Sequence, residues 1–267
     1  MMKKRIAVIG CGFLGTIVAE ACVKGLLEGY ELAGAMSRDF GKARALTDMA
    51  GGQACRNLEE LLELEPDFVL EMASVETVRQ VAVPVLERGC SLVPLSIGAF
   101  ADGDFYGQVQ AAALKGGGKV HIPSGAVGGF DVLQTIALMA QAEGKEIQAG
   151  IETRKGPASL QNTPLFEEAL MTEEADQQVF FGTAQEAIAL LPTKVNVAVA
   201  TALATTGPQT ATARITSVPG MTGDDHKLVA EIDGMKAVVD IYSRTSSIAG
   251  WSVVALLRNL DSPVVFY

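Results

Sequence analysis

Between Lys4 and about Val120 the chain alternates short apolar runs with longer stretches whose apolar residues recur at helical spacing, the rhythm of βαβ units and a parallel sheet. The runs are Arg5 to Ile9, Glu31 to Met36, Asp67 to Ala73, Ser91 to Ser96 and Lys119 to Ile122. Between them, Gly15 to Glu28 and Gly41 to Ala50 space alanines, leucines and paired charges as helices do, and Gly29 is placed to cap the first. An α/β fold with one open, doubly wound sheet is predicted.

After Gly129 the rhythm changes. A helical stretch, Phe130 to Ala142, is followed by runs at Ile147 to Thr153, Thr210 to Thr216, Lys227 to Ile232 and Ala237 to Ile241. The last two flank Asp233-Gly234, which predicts a hairpin closed by a type I′ turn. A mostly antiparallel second domain of α+β type follows. The closing stretch, Ser246 to Leu260, is helix-like and apolar on one side, suited to return to the first domain. The expected division is residues 1–124 with 246–267, and residues 125–245.

Composition narrows the function classes. Among 267 residues, 49% are hydrophobic and 19% charged, enough for a sizeable core and too apolar for disorder. A net charge of −10 with scattered Lys and Arg lacks the footprint of a nucleic-acid or anionic-membrane binder. Cys11, Cys22, Cys55 and Cys90 show no metal or disulfide spacing, so no metal site is expected and a reducing cytoplasm fits. The opening MMKKRIAVIGCG reads as a short strand broken by glycines, not as a signal peptide, and the uncharged stretch Val195 to Ala213 is too polar to span a membrane.

The strongest local signal is Gly10-Cys11-Gly12-Phe13-Leu14-Gly15, directly after a strand and before a helix. Gly10 permits the tight turn, Gly12 lets backbone approach a pyrophosphate, Gly15 allows close helix packing, and the helix start offers unpaired N–H donors. Phe13 and Leu14 complete this cofactor-binding loop. At the end of the second strand an NAD-specific site places a carboxylate. Here Ser37 stands near that position and Arg38 follows, which suits the 2′-phosphate of NADP, while Asp39 is near enough to meet a ribose hydroxyl instead. An ordinary solvated arginine is the competing reading of Arg38. The later loops, Glu71 to Ser74 (with Ala73 and Ser74 as cofactor contacts), Ser96 to Asp102 and Pro123 to Gly129, carry small residues where backbone would approach a ligand.

Two histidines offer proton transfer near neutral pH. His121 lies in an expected buried strand and reads as a core residue. His226 alternates in phase with Leu228, Ala230 and Ile232 and fits equally a structural imidazole and a group at the mouth of a site. Arg154 and Lys155 suit a dicarboxylate and a solvated edge alike. GxSxG, HExxH and Walker motifs are missing, which removes the corresponding hydrolase and nucleotide-triphosphatase readings.

Taken in order, GCGFLG, EMAS, SIGAFAD, PSGAVGG, ETRKGP, LPTKVNVAVATALA, GDDHKL and SRTSS resemble the L-aspartate dehydrogenase family over nearly the whole chain. The resemblance implies a Rossmann domain with a substrate and dimerisation domain, a homodimer, and NAD(P)-linked interconversion of L-aspartate with iminoaspartate, or oxaloacetate and ammonia, feeding pyridine nucleotide biosynthesis. It makes Ala126 and Asn196 cofactor contacts and His226 the active-site histidine. Two features depart from the family pattern: Lys194 stands where a second Asn is common, and a longer late motif is reduced to Tyr242-Ser243-Arg244-Thr245-Ser246. Ser124, Lys155, Arg244, Thr245 and Ser246 are the candidates for holding substrate carboxylates. Another small amino or oxo acid as substrate, and a cofactor-binding sensor without turnover, are the competing readings.

Overall fold

A computed structural model describes residues 3–192 and 195–266, so Lys194 lies outside the described residues. It divides into two compact units, Met1–Gly125 with Ser246–Tyr267, and Ala126–Thr245.

The first unit runs β1 (Lys4–Ile9), α1 (Phe13–Val23), β2 (Tyr30–Met36), α2 (Phe40–Ala50), β3 (Gln53–Cys55), α3 (Leu58–Leu62), β4 (Phe68–Glu71), α4 (Val75–Glu87), β5 (Ser91–Pro94) and α5 (Gly103–Gly116), with a 3-10 turn at Ile97–Ala101. The sheet order is β3-β2-β1-β4-β5, all parallel. Strand order therefore reverses between β1 and β4, the switch point beside which doubly wound sheets bind ligands at their carboxyl edge. The central strands are apolar on both sides, as parallel strands covered on both faces must be. Ile6 and Val8 join a core with Val18, Leu46 and Leu70, while Ala7 between them is equally buried. Helices α2, α4 and α5 start at Asp39, Ser74 and Asp102, whose side-chain oxygens accept first-turn N–H groups. Helix α1 starts at Gly12 with no side-chain cap and no acidic residue in its first turn.

The second unit runs α6 (Phe130–Glu143), β6 (Gln148–Lys155), β7 (Gln177–Thr183), α7 (Ala184–Leu190), α8 (Asn196–Leu203), β8 (Thr212–Ser217), β9 (Asp224–Ile232) and β10 (Met235–Ser243). Its sheet order is β10-β9-β6-β8-β7, with only the β6–β8 pair parallel. Helix α6 packs on β9 and β10, and α8 on β6. Along β9 the residues His226, Leu228, Ala230 and Ile232 are buried and those between them are not, so the period of two sets one face against the helices.

Helix α9 (Ser247–Asp261) completes the first unit by packing on α1. Gly250 allows the approach: a Cβ there would lie 2.9 Å from Ile17 Cδ1. The buried Tyr30 hydroxyl donates to the Leu257 carbonyl at 2.8 Å, and its ring meets Phe68 edge-on.

Several local expectations are corrected. The run Lys119 to Ile122 forms only an isolated bridge between Val120 and Leu92, and His121 stands half-buried outside any strand, its ring against Phe68. The fifth strand is instead β3, three residues too short to register as an apolar run. Helix α1 ends at Val23 with Lys24 as its cap, because Gly25 turns the chain at φ +69°, so Gly29 caps nothing. The Asp233-Gly234 hairpin forms with Ile232 facing Met235, but only Gly234 has positive φ, so the turn is not type I′. Strand β7, not expected, is a half-exposed strand at the sheet edge with a register shift between Gln178 and Phe180, which erases its alternation.

Tyr30→Phe keeps the ring and removes the hydroxyl bond to α9. It is expected to cost about 1 kcal/mol, read as a lower urea midpoint at unchanged slope.

Candidate active site

At the carboxyl edge of the first sheet, Gly10 adopts φ +97°, and a Cβ on it would lie 2.5 Å from the Met72 carbonyl oxygen. A Cβ on Gly15 would strike the Gly10 carbonyl, so both positions are closed to side chains by packing. Gly12 differs: a Cβ there meets nothing within 4 Å. Open space therefore lies in front of the uncapped start of α1, beside the exposed Phe13 and the half-buried Leu14. Uncapped N–H groups with the positive end of a helix dipole, next to a residue lacking Cβ, fit a dinucleotide pyrophosphate. Cys11 between the glycines is buried, which pushes its thiol up to about 11 and keeps it protonated.

Beyond β2, Ser37 is half-buried and Arg38 exposed. The Asp39 carboxylate accepts from the Gly41 N–H at 3.0 Å, so it is occupied in capping α2. On the other side of the switch point, Ala73 and Ser74 leave β4, and both of their N–H groups donate to the Glu71 carboxylate at 2.8 Å. Glu71 is wholly buried. Burial pushes its carboxyl up from the ordinary range, and its hydrogen-bond donors pull it back. Sequence reading passed over Glu71; the available signal was an acidic residue ending an otherwise apolar buried strand.

In the second unit, strand register assembles the polar groups. Thr153, His226 and Ile241 face one another across β6, β9 and β10, and Lys155, Asp224 and Ser243 form the next row on the same face. Thr153 and His226 are 3% and 4% exposed, and Thr153 Oγ1 lies 3.0 Å from His226 Nδ1. Lys155 is 3% exposed and its ammonium pairs with Asp224 at 3.3 Å. Burial lowers the imidazole pKa to about 4; Asp224 opposes the shift and Lys155 adds to it. A neutral imidazole thus sits one row from a buried cation. Gly128, in the loop that follows Ala126 and leads into α6, lies against Ile241 on this face. Asn196 opens α8.

The remaining candidates are distributed differently. Arg154 alternates to the outer face and pairs with Asp176 at 2.6 Å, so the Arg154–Lys155 pair is split between two faces. Arg244 is exposed and donates to the Tyr242 hydroxyl at 3.1 Å, while the adjacent Thr245 N–H donates to Ser243 Oγ. Ser124 and Ser246 fall within the first unit, where the Gly125 N–H donates to Ser252 of α9 at 3.0 Å. Among the described residues, no group of three or more His, Cys, Asp or Glu is arranged to hold a metal, and no helix is long and apolar enough to cross a membrane.

Comparison with known proteins gives the chain its relatives. Residues 10–123 match the family described as homoserine dehydrogenase, NAD binding domain, and residues 136–260 match aspartate dehydrogenase, C-terminal. An L-aspartate dehydrogenase of Methanococcus maripaludis is 31% identical over 97% of this chain and 98% of its own. One of Methanosarcina mazei is also 31% identical, with the same coverage of both chains. The crystal structure of aspartate dehydrogenase from Thermotoga maritima superposes with a TM-score of 0.75 at 25% identity, covering 100% of both chains. The first unit is thus a nicotinamide-dinucleotide-binding domain, and the chain belongs to the L-aspartate dehydrogenase family.

Proposed function

We propose that the protein is an NAD(P)-dependent oxidoreductase acting on the CH–NH2 group of L-aspartate. L-Aspartate and oxidised cofactor yield iminoaspartate, reduced cofactor and a proton; water converts the imine to oxaloacetate and ammonia, and the reverse sequence is reductive amination. The observation that carries this reading is the pair of rows on the second sheet, Thr153–His226 beside Lys155–Asp224, with Thr153, His226 and Lys155 buried, in a chain of this family.

When bound, the nicotinamide supplies the two-electron acceptor or donor. The pyrophosphate is assigned to Gly10, Gly12, Phe13, Leu14 and Gly15, with Ala73, Ser74, Ala126 and Asn196 as further cofactor contacts. Holding reacting carbons in register supplies roughly 7–11 kcal/mol of barrier lowering. His226 is neutral at working pH because its imidazole titrates at about 4. Thr153 occupies Nδ1, so Nε2 is the atom that takes the proton from the substrate ammonium and returns it in the reverse direction. Lys155 offers its ammonium to a substrate carboxylate, in exchange for part of its bond to Asp224. Arg244, Thr245, Ser124 and Ser246 are weaker candidates for the second carboxylate, because Arg244 is engaged by Tyr242. With Asp39 occupied as a cap, Ser37 and Arg38 leave the 2′ position open to hydroxyl and phosphate alike, which supports use of NADP as well as NAD. A homodimer working in the cytoplasm, consistent with four unpaired cysteines, completes the reading.

A spectrophotometric assay at about 340 nm with L-aspartate and each cofactor, and in reverse with oxaloacetate and ammonia, is expected to show turnover and to rank the cofactors. Cofactor binding without turnover on aspartate would move the assignment to another acid or to a sensor. His226→Asn is expected to lower kcat by about 10²–10⁴-fold while leaving cofactor affinity within about twofold; equal turnover removes the proton-transfer role. Lys155→Met is expected to raise the KM for aspartate about tenfold or more, with NAD(P)H affinity unchanged by fluorescence titration.

A further inference from the structure

Glu71 closes β4 on the side of the switch point away from β2. Dinucleotides cross such an edge with the adenosine ribose at the end of the second strand, so the nicotinamide half falls on the β4 side. Two loops leave the sheet there, Met72 to Ser74 and Leu95 to Gly98. One carboxylate serves both. Glu71 Oε1 accepts from the N–H groups of Ala73 and Ser74 at 2.8 Å and from the Ser96 hydroxyl at 3.1 Å, and Oε2 accepts from the Ser96 N–H at 3.1 Å. The Leu95 N–H donates to the Glu71 carbonyl at 2.9 Å, and the first glycine of the pyrophosphate loop abuts the Met72–Ala73 peptide. Among the described residues no Lys, Arg or His forms an ion pair with Glu71. A buried carboxylate without a cation is costly, and a turn that needed only a cap would be served by Ser or Asn, as at Asn57 and Ser74.

We propose that Glu71 is a positioning residue for the nicotinamide half of the cofactor, joining the loop after β4 to the loop after β5 through a single carboxylate that accepts from both. Both oxygens are required. A carboxylate has acceptors at each end, whereas a glutamine amide has one, and either orientation of it sets an NH2 against a backbone N–H of one loop. Glu71→Gln therefore loses the backbone N–H bonds to one of the two loops without changing the size of the side chain. The pyrophosphate and adenosine positions, set by β1, α1 and β2, do not involve those bonds.

The inference rests on the dinucleotide reading of the first unit, and the test separates the two. Calorimetric titration of the full chain with NAD, NADP and ADP-ribose, which lacks nicotinamide, measures each half. Glu71→Gln is expected to weaken the dinucleotide about tenfold, to leave ADP-ribose within about twofold, and to lower Tm by no more than about 5 °C. Ser96→Ala, which removes one donor and keeps the charge, is expected to show the same split at about threefold, and decides the matter if the glutamine variant does not fold. Equal losses for dinucleotide and ADP-ribose, or no loss for either, overturn the assignment. A wild-type protein that binds none of the three overturns the dinucleotide reading and this inference with it.

Discussion

The exit of β1 passes so close to the exit of β4 that neither backbone can accept a side chain between them. That contact, Gly10 against the Met72 carbonyl, is the constraint on which the first unit's edge depends. It draws the adjacent parallel strands together at their carboxyl ends, directs α1 away with its N-terminus uncapped, and leaves the peptide after β4 within reach of the glycine loop. Every other helix N-terminus capped by a side chain in this unit spends its N–H groups on Asp, Asn or Ser. Helix α1 has no such side chain at its start and has open space beside Gly12, which is the difference between a structural turn and an anion cradle.

The second unit solves another electrostatic problem. Its polar residues sit at the end of a sheet face that is otherwise apolar, and for His226 desolvation outweighs either charged neighbour. His226 is neutral because charging it inside that face is costly, and Lys155 stays buried because Asp224 accompanies it. The register of three strands, rather than nearness in sequence, places these groups in adjacent rows. A slip of one residue along β9 would send His226 to the outer face and bring Asp225 in.

Much of this was legible in the residues. Parallel strands buried on both faces read as unbroken apolar runs, and the glycine loop kept its meaning because strand and helix flanked it. The phase of His226 with Leu228, Ala230 and Ile232 was visible as alternation, and the structure buries all four. What escaped was whatever depends on distant partners. β3 and β7 are held by neighbours more than by their own pattern. Gly25 ended α1 ahead of the more conspicuous Gly29. Glu71 reads in the sequence only as the first residue of a small-residue loop, because Ser96, which donates to it, lies 25 residues on. Arg154 and Lys155 read as one basic pair, although successive residues of a strand point to opposite faces.

The hydrogen bond from Tyr30 to Leu257 spans 227 residues, and the whole second unit lies between its ends. On a ribosome the first unit cannot finish when its own sheet emerges, because the helix that covers α1 is made only after the second unit. At roughly 5–20 residues per second the apolar face around Ile17 and Val18 waits roughly 10–50 seconds for its cover. The insertion thus makes closure of the dinucleotide-binding unit depend on synthesis of the unit that carries His226, so a chain broken off early leaves α1 uncovered.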